Sequence, residues 1–190
     1  LTLSEIFNEK VFKIPDYQRP YSWEKQHIEE FWLDLHNLDD KRIHYTGMIT
    51  IERKKENEFY YIIDGQQRLT TIMILLKVLL DRFKDEDWIG DDYTGAKKIE
   101  LVNKFLYKKS GKNGHIIKVI FGYEKDNPSE LYYQKNILGL ENSEYQSNKI
   151  NTLYTKNLQN AFNIFTKKLA DFKRDKLEVL ILKVIKQLKF

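Results

Sequence analysis

Residues 60–71, Tyr-Tyr-Ile-Ile-Asp-Gly-Gln-Gln-Arg-Leu-Thr-Thr, change hydrophobic period within a few positions, from an apolar run to an i, i+3, i+4 pattern. The first pattern predicts a strand, the second a helix, and polar or glycyl residues fill the join. A strand that turns sharply into a helix presents the helix's first unpaired N–H groups outward. There, hydrogen bonding and the positive end of the helix dipole attract phosphate. Gly65 gives the turn its backbone freedom and lets a ligand approach the main chain. Arg68 adds a planar fork of donors suited to phosphate oxygens, and Asp64 a carboxylate suited to Mg²⁺ or a sugar hydroxyl. Asp-Gly is also a common turn pair, and the loop is neither a Walker P-loop nor a dinucleotide fingerprint. Spacing alone therefore leaves a solvated helix start as the competing explanation.

A second motif shifts that balance. Ile14-Pro15-Asp16-Tyr17-Gln18-Arg19-Pro20-Tyr21-Ser22-Trp23 suits neither a regular helix nor a central strand. It predicts a structured loop in which Pro15 and Pro20 hold the backbone extended and lower the entropy cost of fixing Gln18 and Arg19. Ser22 is a candidate N-cap for a helix beginning at Trp23 or Glu24. Aromatics that plug the edge of the core are the alternative for Tyr17, Tyr21 and Trp23.

Taken together, Ile-Pro-x-Tyr-Gln-Arg-Pro-Tyr-Ser-Trp, then Gly47, then Ile-Ile-Asp-Gly-Gln-Gln-Arg-Leu-Thr-Thr resemble the N-terminal domain of GmrSD-type modification-dependent restriction enzymes. The likeness is specific over residues 11 to about 80 and loose beyond. It implies an α+β fold similar to ParB and sulfiredoxin, in which a Gly-x-x-Arg turn holds nucleotide phosphates; Gly65 and Arg68 occupy those positions. It also implies binding and hydrolysis of a nucleoside triphosphate with Mg²⁺, coupled to cleavage of foreign, often modified, DNA. On this reading Gln18, Arg19, Asp64, Gly65, Gln66, Gln67, Arg68, Thr70 and Thr71 bind nucleotide. Asp64, Gln67 and Arg68 are the expected catalytic residues, Asp64 also holding the metal, and Tyr17, Tyr21 and Trp23 the expected contacts to DNA or a base. Two alternatives stand beside it: a nucleotide-gated DNA-binding module that keeps the same turn with slow or no hydrolysis, and a sensor whose Tyr17, Tyr21 and Trp23 form an aromatic pocket for a modified base or backbone.

Positioning these motifs requires a short strand over residues 11–14 and an amphipathic helix over 24–38. It also requires a strand pair over 43–51 and 58–63, joined through 54–57, and an apolar helix over 69–83. The last is apolar beyond what a surface helix needs, so it should be buried and hold the phosphate turn rigid. Residues 1–85 are expected to form the nucleotide-binding core. Residues 86–190 should form a mainly helical subdomain with helices near 97–108, 128–138, 150–169 and 177–188, and a mobile loop at 108–114. With Leu1 at the start and an apolar periodic segment at the end, the chain reads as a fragment whose last helix lacks its partners.

Composition adds limits. The chain has 190 residues, 42% of them hydrophobic, which can furnish a core. The absence of cysteine fits a reducing, cytoplasmic setting and excludes disulfides and thiolate metal sites. The four histidines, His27, His36, His44 and His115, lack metal-ligand spacing, although His27 lies one turn past the proline-rich motif. No apolar run approaches a membrane span. The net charge of +4 permits nucleic acid as a partner. Residues 165–190 concentrate it, with eight lysines and arginines against three acids.

Overall fold

The computed structural model describes residues 1–39, 42–53, 59–91, 95–110, 115–140 and 152–190. In chain order its elements are α1 (Leu3–Ile6), β1 (Phe12–Ile14), α2 (Lys25–His36), β2 (His44–Tyr45), β3 (Thr50–Arg53), β4 (Tyr60–Asp64), α3 (Gln66–Leu80), β5 (Trp88–Ile89), β6 (Ala96–Lys97), α4 (Lys98–Phe105), β7 (Tyr107–Lys109), β8 (Ile116–Val119), β9 (Phe121–Tyr123), α5 (Glu130–Tyr132), α6 (Leu153–Leu169), α7 (Arg174–Leu182) and β10 (Leu188–Lys189). Single π turns, Tyr133–Ile137 and Lys183–Gln187, continue α5 and α7. The class is α+β, as the sequence predicts.

A four-stranded sheet in the order β3-β4-β1-β9 carries the two motifs. β1 and β4 are parallel neighbours, with Phe12 opposite Tyr60 and Lys13 opposite Tyr61. Their C-terminal ends therefore deliver the proline-rich loop and the Asp64–Gly65 turn to the same end of the sheet. β3 runs antiparallel to β4 with a register irregularity at Thr50/Ile51, and all four of its residues are exposed. The expected strand over 43–51 is broken into β2 and β3 because Gly47 adopts φ +99°, a left-handed conformation that ends an extended run.

α3 is the axis of the core. Of its fifteen residues only Arg68 is not buried. Leu69, Ile72, Met73, Leu75, Leu76 and Leu79 are wholly enclosed, each contributing about 1.5–3 kcal/mol by transfer from water. α4, α6 and α7 pack around it. The all-round apolar character of the sequence thus reflects helices on several sides, and the helix begins at Gln66, three residues before the apolar period does.

The expected division near residue 85 does not divide the core. β9 lies parallel to β1, pairing Phe12 with Phe121 and Ile14 with Tyr123, so the later half of the chain completes the sheet. The last helix also has partners, contrary to expectation: Leu177, Leu180, Ile181, Val184 and Leu188 are buried, and β10 pairs in parallel with β2. Leu1 and Phe190 meet, the Leu1 nitrogen donating to the Phe190 carbonyl at 2.9 Å. The basic tail is partly neutralised as well. Lys168 pairs with Glu29, Arg174 with Asp87 and Glu178, and Lys183 donates to the Leu38 carbonyl. The expected connection at 54–57 and most of the loop at 108–114 lie outside the described residues. Among the described residues no helix is long and apolar enough to cross a membrane.

The segment following β9 braces the first motif. Asn127 Nδ2 donates to the Pro15 carbonyl at 3.1 Å, Ser129 N–H donates to Asn127 Oδ1, and Glu124 accepts from Asp16 N–H and from the Tyr61 hydroxyl. Glu130, in the next turn, is buried, and burial pushes its carboxyl up to about 7 against the opposing pull of the Tyr123 backbone, Lys13 and Gln134. The folded chain therefore keeps a proton there over a range in which the unfolded chain has released it. The stability this contributes is complete below the usual carboxylate value of 4.5 and lost as pH rises to about 7. Glu130→Gln should flatten that fall by about 1–3 kcal/mol, measured as chemical-denaturation stability of both proteins across this pH interval.

Candidate functional site

The join between β4 and α3 is built on Gly65, the N-cap residue of α3, with φ 86° and ψ 4°. A Cβ there would meet Ile49 Cγ2 at 2.6 Å, so only glycine fits both the left-handed conformation and the space. Asp64 Oδ1 accepts from Gly65 N–H at 2.8 Å, which folds the carboxylate back over the turn. No side chain caps the start of α3, where the positive end of a long helix dipole lies.

The proline-rich loop is fastened to this turn by one side chain. Gln67 Oε1 accepts from Ser22 N–H at 2.7 Å while its Nε2 donates to the Pro20 carbonyl at 3.1 Å. Gln66 Nε2 donates to Gln18 Oε1 at 3.2 Å, a second link between the motifs. Below them the Tyr21 hydroxyl shares a hydrogen bond with Thr71 Oγ1 at 2.7 Å, and Thr71 Oγ1 donates to the Gln67 carbonyl. Ser22 precedes the helix start, and Glu24 is the N-cap residue of α2, its N–H donating to His27 Nδ1.

An open cleft of about 710 Å³ results, lined by Gln18, Arg19, Trp23, Asp64 and Arg68 together with Gly47, Met48, Ile63 and Gly65 to Gln67. Arg68 lies across Gly47: a Cβ on that glycine would stand 2.8 Å from Arg68 Nη1. Among the described residues neither Arg68 nor Arg19 has a hydrogen-bond or ion-pair partner in the protein. Asp64 is the one carboxylate in the cleft lining. Two guanidinium groups and a helix N-terminus against one carboxylate make the cleft a place for an anion.

The predicted site residues separate into two sets. Gln18, Arg19, Asp64, Gly65, Gln66, Gln67, Arg68 and Trp23 converge on the cleft, and Tyr17 stands 63% exposed nearby in the same loop. Thr70 and Thr71 are buried beneath it, Thr70 within 3.4 Å of the Tyr123 hydroxyl. Tyr21 corrects the expectation of a base contact. It is 1% exposed with its hydroxyl committed to Thr71, so it presents no ring face to a ligand, and burial raises its phenol pKa. Trp23 is stacked on His27, ring centroids 5.8 Å apart, which answers where that histidine points. Sequence reasoning missed Met48, 75% exposed on the cleft wall, and the braces Glu124 and Asn127. A solitary exposed methionine after a glycine was the available signal for the first; nothing local marks the other two.

The α+β frame, the proline-rich loop and the glycine turn converge on one cleft that presents two guanidinium groups. The chain belongs to the family described as the GmrSD restriction endonuclease N-terminal domain, whose profile matches residues 3–189. The domain is thus part of a restriction system. Comparison with proteins of curated function gave no significant match.

Removing the Gln67 clasp tests the coupling between motifs. Gln67→Ala should destabilise the fold by about 1–3 kcal/mol, because it strands the Ser22 N–H, and should open residues 15–23 to proteolysis. Gln67→Glu, which keeps the acceptor for Ser22, should lie between the two in both measurements.

Proposed function

We propose that the cleft binds a nucleoside triphosphate with Mg²⁺ and hydrolyses it, within a restriction system that acts inside the cell on foreign, often modified, DNA. One observation carries this reading: Arg68, the single residue of α3 that escapes burial, enters a cleft in which it has no protein partner, beside an uncapped helix start. A buried helix that exposes one unpaired guanidinium is preorganised for an anionic ligand. In this assignment the N–H groups of Gly65, Gln66 and Gln67 and the Arg68 side chain hold phosphates. Because Gly65 N–H already serves Asp64, the two glutamine N–H groups carry most of the main-chain share. Gln18 and Arg19 reach the sugar, base or terminal phosphate from the opposite wall.

Among the described residues no group of three or more histidines, cysteines and carboxylates is placed to hold a resident metal. A lone Asp64 does suit Mg²⁺, which is commonly held by one or two carboxylates together with substrate phosphates. The ion would supply charge neutralisation on the phosphates, and Asp64 would hold it or orient the attacking water. Gln67, named as catalytic from the sequence, is better assigned to positioning, since both ends of its amide are engaged by the loop.

The same engagement supports the second reading, a nucleotide-gated DNA-binding module with slow or no hydrolysis, because of the three expected catalytic residues it leaves Asp64, one of whose oxygens already accepts from Gly65 N–H, to handle water. Tyr17 and Trp23 are the accessible aromatics for stacking a base in the sensor version.

Titration calorimetry with each ribonucleoside triphosphate and Mg²⁺ tests binding. Arg68→Ala should weaken it about 10- to 150-fold, the worth of one charge-assisted hydrogen bond, without loss of fold. Gly47→Ala should weaken it as well, since the new methyl group occupies the place of the Arg68 guanidinium. Asp64→Ala should reduce phosphate release more than binding; equal losses would remove Asp64 from the chemistry.

A further inference from the structure

A second concavity, about 600 Å³, runs between α2 and α6 and is lined by Lys25 and Glu29 on one side and Asn160, Asn163, Lys167 and Lys168 on the other. Packing of α6 on α2 sets its floor, with the Trp32 and Phe165 rings 6.3 Å apart and Lys168 Nζ 5.4 Å above the Trp32 ring. Lys168 also pairs with Glu29 at 2.5 Å, so the one acid of the groove is already neutralised. Lys25 and Lys167 have no protein acceptor among the described residues.

Lys156, Asn160, Asn163 and Lys167 fall at i, i+4, i+7 and i+11 of α6, one row on one helical face. At 1.5 Å per residue the row is about 16 Å long. Each strand of duplex DNA advances ~3.4 Å per phosphate along its axis, so such a row can follow several phosphates of one strand. Lysines neutralise phosphates, and asparagine amides donate to phosphate and sugar oxygens. A protein partner would call for a cluster of aromatic or aliphatic anchors at the centre of the contact, and this lining offers one apolar residue, the half-buried Ile164, among three lysines and two asparagines. The groove also begins two residues from Trp23, which lines the cleft, so the two concavities are at most about 7 Å of chain apart.

We infer that the α2–α6 groove is a seat for the backbone of DNA, read without base contacts and adjoining the nucleotide cleft. The inference goes beyond the nucleotide reading and does not depend on it. Fluorescence anisotropy of a labelled 20-base-pair duplex, titrated without nucleotide over a series of salt concentrations, tests it. The double variant Lys25→Gln, Lys167→Gln should bind at least tenfold more weakly. The slope of log affinity against log salt should be shallower by about two, since each phosphate contact contributes about 0.9. Both lysines are exposed, and circular dichroism with thermal unfolding checks that the fold persists. Nucleotide calorimetry on the same variant should match the parent, while Arg68→Ala should retain the parent's anisotropy and salt slope; failure of nucleotide binding therefore leaves this test readable. An unchanged slope and affinity in the double variant would overturn the inference. So would an equal loss on replacing Lys173 and Lys176 of the basic tail, or no DNA binding by the folded parent at low salt.

Discussion

The carboxamide of Gln67 is the contact on which the site depends. Its oxygen and nitrogen serve two main-chain groups two residues apart, Ser22 N–H and Pro20 C=O, so a single side chain fixes both the position and the local path of the loop. Each hydrogen bond is worth only about 0.5–1.5 kcal/mol net, yet leaving a partly buried N–H unpaired costs more than forming the bond gains. The clasp is anchored in turn: the Gln67 carbonyl takes the Thr71 hydroxyl, which holds Tyr21 in the core. With Pro15 and Pro20 restricting the backbone, little freedom remains to be lost when a ligand arrives. The motifs are thereby one object, joined across more than forty residues of sequence.

Rigidity of that object comes from the rest of the chain. α3 cannot shift without disturbing α4, α6 and α7, and the loop cannot lift without breaking the contacts of Asn127 and Glu124. These braces lie more than a hundred residues from Pro15 and Asp16 in sequence. The cleft is thus supported by both halves of the chain, although all of its lining comes from the first seventy residues.

Much of the site could be read from the sequence because it is local. The change of period at Gly65 marks a strand–turn–helix junction, and composition alone marks residues 14–23 as a loop. The elements around the site followed to within a few residues, but Gly47 splits the expected strand over 43–51, α3 begins three residues early, and the expected helix over 97–108 ends at Phe105 and gives way to β7. What was hidden is long-range. Nothing in Phe121-Gly122-Tyr123 announces a parallel pairing with Phe12 to Ile14, and the partners of the last helix, spread across the chain, carry no periodic signal. Tyr21 illustrates the limit: it belongs to a motif rich in surface aromatics, and only the position of Thr71 beneath it turns the ring inward.

β3 forms one edge of the main sheet beside the cleft, exposed along its length. An open edge is a template for a foreign strand, and proteins commonly guard such edges with charge and irregular register. Here Glu52 and Arg53 supply the charge, and the slip at Thr50/Ile51 interrupts the ladder beside the cleft. The edge nearest the cleft therefore carries features that disfavour strand addition and self-templated aggregation, which leaves side chains as the means by which a macromolecule approaching it would be recognised.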